Sequence, residues 1–153
     1  MRFVTGFACI AVAIPLWSVG VFAQSPDAAA VLNAWAEAYA SQDGARSAAL
    51  YSDDASVWGT ASRSPTVGRA GITEYFGRPR EGVVSSSVTF DERETKPLGD
   101  GTVLAYGRYT FRQKRTDGTE TALPARFSMV LAKAQDGSWR IVHHHSSPMP
   151  RPQ

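Results

Sequence analysis

Hydrophobic positions change their rhythm near Pro79. Before it, apolar residues recur at helical spacing; after it, they alternate with polar ones in four runs. Val31, Leu32, Trp35, Ala38 and Tyr39 share one face of a predicted helix. Its start is marked by Ser25 as N-cap, Pro26 in the first turn and Asp27 against the positive helix end. It should stop near Asp43-Gly44, and a short second helix is expected over about 45–51. Asp53-Asp54 reads as a turn, Ser56 to Trp58 as a short strand, and 59–67, rich in Ser, Thr and Pro, as a loop. A third helix is predicted over 68–77, with Ile72, Tyr75 and Phe76 on one face and Gly77 and Pro79 as its stop.

The four alternating runs cover about 85–96, 102–114, 120–134 and 138–147. Between them lie Gly99-Asp100-Gly101, Thr116-Asp117-Gly118 and Asp136-Gly137. Asp-Gly between alternating runs is a strong hairpin signal, so the runs form an antiparallel meander. Helices followed by strands predict an α+β domain with the helices on one face of the sheet. No repeat or interdomain linker interrupts it, and 148–153 reads as a short tail.

The first 23 residues do not belong to this pattern. Met1-Arg2 is a positive start, Phe3 to Ala23 is uncharged and mostly apolar, and Val21-Phe22-Ala23 precedes polar Gln24-Ser25. That layout is a secretory signal peptide, with an uncleaved anchor helix as the rival reading. Pro15, Gly20 and the small-residue end favour cleavage, which would remove Cys9, the only cysteine of the 153-residue chain. The expectation is an exported protein, periplasmic or extracellular, with its domain in 24–147 and no stable membrane association after cleavage. A domain without cysteine suits an oxidising compartment.

Composition narrows the function by exclusion. A net charge of +2 gives no dense cationic footprint, so no nucleic-acid partner is expected. One cysteine permits neither an intrachain disulfide nor a cysteine zinc site, and no cofactor is implied.

Four fragments carry a resemblance: AWAEAYASQD at 34–43, ALYSDDA at 49–55, VGRAGI at 67–72 and DGSWRIVHHHSS at 136–147. Together they resemble the nuclear transport factor 2-like superfamily, over nearly the whole of 24–147. The resemblance implies a cone: a curved antiparallel sheet wrapped around about three N-terminal helices, leaving an internal pocket. Ala105-Tyr106-Gly107-Arg108-Tyr109-Thr110 and the histidine run are similar to the association domain of calcium/calmodulin-dependent kinase II and its small bacterial relatives. The fold hosts enzymes, ligand binders and assembly modules alike, so it does not fix the activity. The residues that carry ketosteroid isomerase chemistry in similar proteins fall here on Trp35, near Gly59 and near Ala125, none of which supplies a base. SnoaL-like cyclases are a looser analogy.

Candidate chemistry centres on the three histidines. Strict alternation places Trp139, Ile141, His143, His145 and Ser147 on one face and His144 on the other, toward solvent. His143 and His145 are therefore the candidate pocket histidines and candidate general bases. The resemblance puts arginines beside such a pair, and Arg108 matches that family's arginine. Arg126 lies on the strand expected to pair with the last one, and Trp58 is the aromatic expected to line the pocket. An inward arginine would bind a carboxylate or phosphate, so a small polar or anionic molecule is the expected ligand. The plainer readings are half-buried sheet histidines and solvated arginines. Two histidines at i,i+2 lack a third ligand, so no metal is predicted. Two function classes remain: an exported ligand-binding or self-association module, forming a homodimer through its sheet, or a small isomerase, dehydratase or cyclase with a pocket histidine as base.

Overall fold

The computed structural model describes residues 26–150. The expected signal peptide, Cys9 included, and the last three residues lie outside the described residues. Three helices, α1 (Pro26–Ser41), α2 (Gly44–Ala48) and α3 (Gly68–Gly77), combine with six strands into an α+β fold. The strands are β1 (Tyr51–Trp58), β2 (Thr66–Val67), β3 (Val83–Gly99), β4 (Thr102–Arg115), β5 (Glu120–Lys133) and β6 (Trp139–Pro148).

Local chemistry explains the elements. Asp43 caps α2, its carboxylate accepting from the backbone N–H of Ala45 at 2.9 Å and of Arg46 at 3.0 Å. Gly44 lets α2 lie against α3, because a Cβ there would collide with the Thr73 carbonyl. Gly101, Gly118 and Gly137 adopt φ +72°, +83° and +81° in the three Asp-Gly hairpins, a conformation that strains other residues.

The sheet runs in the order β2-β1-β6-β5-β4-β3. The predicted meander β3-β4-β5-β6 is antiparallel throughout. The fully antiparallel expectation fails at one place, where β1 pairs with β6 in parallel. After β1 the chain crosses through α3, and the last strand returns beside β1 in the same direction. Asp53 and Asp54 do not turn the chain as expected; they sit inside β1, where the pairing with β6 is irregular between Tyr51 and Ser56. Asp53 is held there by an ion pair with Arg69.

Helix α1 packs against both β3 and β6, which are three places apart in the sheet, so the sheet curls around it. This is the cone that the resemblance implied. Leu32, Trp35 and Tyr39 from α1 and Ile72 and Phe76 from α3 meet Val103, Tyr109, Phe127, Met129, Leu131 and Ile141 of the sheet. Burial of this apolar and aromatic surface is the main force closing the cone.

Candidate functional site

The mouth of the cone opens into a cavity of about 300 Å³. Its walls are aromatic: Trp35 and Tyr39 from α1, Tyr75 and Phe76 from α3, Tyr109 and Phe111 from β4. Gly59 lies under the Tyr75 ring, where a Cβ would collide with the tyrosine hydroxyl. Among the described residues no carboxylate lines the cavity.

The polar groups collect at two ends. At the floor stands His144, 3% exposed and T-stacked on Trp35 at 5.1 Å between ring centres. Its Nδ1 lies 3.0 Å from the Tyr51 hydroxyl, and its Nε2 lies 3.3 Å from the Tyr109 hydroxyl. Tyr51 in turn accepts the indole N–H of Trp35 at 2.8 Å. Ser146 and Thr60 hydrogen-bond each other beside Tyr109. Toward the mouth, Arg80 lies over the Tyr39 ring at 4.7 Å and donates to the Ser86 hydroxyl at 3.0 Å. No carboxylate pairs with Arg80 among the described residues.

Burial sets the protonation of the floor. Loss of water, followed by the field of His143 and His145, lowers the pKa of His144 from 6.5 to about 3. The imidazole is therefore neutral at physiological pH and a feeble proton acceptor. Burial pushes the Tyr51 and Tyr109 hydroxyls well above the usual phenol range, so both remain protonated donors.

The family of SnoaL-like domains matches residues 28–152. The chain belongs to that family. A protein from Xanthomonas campestris named for the calcium/calmodulin dependent protein kinase II association domain is 26% identical, with 89% of this chain and 95% of that one covered and a TM-score of 0.74. A nuclear transport factor 2-like protein from Salmonella enterica is 22% identical, covering 81% and 89% of the two chains, with a TM-score of 0.69. A protein from Streptomyces avermitilis, named as a dehydratase of the same superfamily, is 14% identical over 82% and 96%, with a TM-score of 0.71. No curated protein matches the chain significantly.

In this SnoaL-like protein the five residues picked from the sequence are brought to one face, but it is the outer face of the sheet. His143, His145 and Trp58 gather with Ser128 in a shallow external groove. Trp58 is 43% exposed, and its indole N–H donates to the Ser62 carbonyl at 3.1 Å. His143 Nδ1 lies 2.8 Å from the Ser56 hydroxyl. Arg108 forms an ion pair with Glu92 at 2.8 Å, and Arg126 donates to the Ser147 hydroxyl at 3.0 Å. None of the five lines the cavity.

The reason is a β-bulge. Leu131 pairs with Ile141, but its neighbour Val130 pairs with His143, so Val142 is an extra residue in β6. One added residue reverses the alternation beyond it. Ile141 points inward, and so do His144 and Ser146, while His143 and His145 turn out. The apolar doublet Ile141-Val142, which breaks alternation just before the histidines, is the one sequence signal for it. Trp58 follows the inward Val57 and so points out by simple alternation. Arg80 was missed because it lies in the connection between α3 and β3, where no periodicity predicts which way a side chain points.

Among the described residues no three His, Cys, Asp or Glu side chains converge on a point. No helix there is long and apolar enough to cross a membrane.

Proposed function

We propose that the protein binds a small, largely flat and apolar molecule carrying a polar or anionic group inside its cone. The observation that carries this reading is the aromatic cavity with a neutral, hydrogen-bonded His144 at its floor and, toward its mouth, an Arg80 that has no carboxylate partner among the described residues. Pockets of this kind, apolar with a few convergent polar groups, are typical of small-molecule sites.

Binding is favoured over proton abstraction. A general base must reach the substrate and must hold a proton near neutral pH. His143 and His145 stand outside the cavity, and His144, inside it, is too acidic in its protonated form to serve. The alternative of an isomerase, dehydratase or cyclase draws support from the Streptomyces avermitilis relative's name. In this chain it would have to work through the donors of the floor rather than through a base.

Self-association through the outer face, giving a homodimer, belongs to the same proposal. Exposed Trp58 and Tyr106 sit there beside Arg108, Arg126 and His145. Export with removal of the first 23 residues completes it. Native mass spectrometry of protein recovered from its export compartment tests all three parts. The expected spectrum shows a dimer starting at Gln24 with a small added mass lost on denaturation. A bare monomer that no aromatic probe stabilises in thermal unfolding would reject the ligand and dimer parts.

A further inference from the structure

The floor of the cavity is a hydrogen-bond wire whose direction is set by its first member. The Trp35 indole N–H only donates, and it donates to the Tyr51 oxygen. Tyr51 is fully buried and, among the described residues, pairs otherwise only with His144. Were His144 to donate from Nδ1, the Tyr51 proton would be left without an acceptor, which buried hydroxyls avoid. Tyr51 therefore donates to Nδ1, and the neutral imidazole carries its proton on Nε2. Nε2–H points at the Tyr109 oxygen. Tyr109 then meets the hydroxyls of Ser146 and Thr60, which hydrogen-bond each other. Tyr109, Ser146 and Thr60 all line the cavity, so their hydroxyls stand within reach of a ligand as donors. At the other end of the cavity the charged group, Arg80, also only donates.

We infer that the cavity takes a ring-bearing keto acid: a carboxylate on Arg80 toward the mouth, a carbonyl oxygen on the Tyr109–Ser146–Thr60 cluster at the floor, and a flat aromatic or cyclic body between the tyrosine and phenylalanine walls. This rests on the small-molecule reading above and names its ligand class. An amine is disfavoured at either end, since Arg80 repels it and among the described residues no carboxylate lines the cavity to receive it.

The test is calorimetric titration of the purified protein with four probes: 4-acetylbenzoate, 4-ethylbenzoate, 4-acetylbenzylamine and acetophenone. 4-Acetylbenzoate is expected to bind about tenfold tighter than 4-ethylbenzoate, the ratio for one hydrogen bond. The Tyr109→Phe, Thr60→Val double variant is expected to erase that preference, and Arg80→Gln to weaken both benzoates about tenfold while sparing acetophenone. Nitrogen-15 NMR of the wild-type imidazole should report His144 protonated on Nε2, a readout independent of whether the double variant folds. Equal affinity for the two benzoates, tightest binding of the amine, or an Nδ1–H tautomer overturns the inference. If acetophenone binds and neither benzoate does, the keto-acid class falls while the cavity remains a binding site. If none of the four binds to folded protein, both readings fall together.

Discussion

His144 and His145 are adjacent on β6 and live in different media. His144 is 3% exposed, packed on Trp35, clamped between two tyrosine hydroxyls, and its pKa is lowered to about 3. His145 is exposed in a shallow groove with Trp58 and Ser128. The same contrast runs along β4 and β5. Tyr109 and Phe127 face inward and stack at 4.9 Å, while their neighbours Arg108 and Arg126 face outward to Glu92 and Ser147. The difference teaches that residue type alone does not mark a site in a sheet. A histidine or arginine acquires special chemistry only where the fold strips its water and limits its partners. The outer face offers charged groups in quantity, but each keeps solvent or a surface partner, which screens it.

The strongest way to break the comparison is to remove the wall that makes the inside different. Trp35→Ala deletes a fully buried indole that touches His144, Tyr39, Phe76, Phe90 and Tyr109. A loss of about 3–5 kcal/mol in chemical unfolding is expected. Tyr51→Phe is next. It leaves the Trp35 N–H and His144 Nδ1 unpaired in the core, and about 1–3 kcal/mol should be lost in the same measurement.

Acid sharpens the contrast within β6. The unfolded chain takes a proton on residue 144 near pH 6.5, while the folded chain resists it until about 3. The unfolded state therefore binds more protons in that window, so stability due to His144 is complete above pH 6.5 and falls as the pH drops toward 3. The expected slope is about 1.4 kcal/mol per pH unit, and His144→Asn should remove this component from a pH series of unfolding curves. The smallest effects belong outside. His145→Ala and Arg108→Ala should each change stability by less than about 1 kcal/mol and leave ligand binding in the cavity unchanged. A fall in ligand affinity in either variant would place recognition on the outer face and refute the cavity as the site.

The order of elements was legible because each rested on local rules. Pro26 and Gly77 bracketed helices, Asp-Gly pairs closed three hairpins, and alternation traced β3 to β6 to within a few residues. α3 fell on 68–77 as predicted. Of the isomerase positions, Trp35 and Gly59 line the cavity and Ala125 is buried in the core, and none carries a carboxylate. What alternation misread was which face of β6 holds chemistry. A period of two is exact only while every residue of one strand meets one of the next, and Val142 breaks that pairing with β5.

The amino-acid pattern by itself determined the α+β order, the meander and the apolar helix faces. Those follow from propensity, turn chemistry and burial, which act between near neighbours in the chain. The tertiary structure alone decided that β1 lies parallel to β6, that His144 rather than His143 or His145 faces the cavity, and that Arg80 joins it from a connection. Each depends on partners far away in sequence: Tyr51 lies 93 residues from His144. The direction of a side chain there is set by pairing register and curvature, which no local pattern encodes.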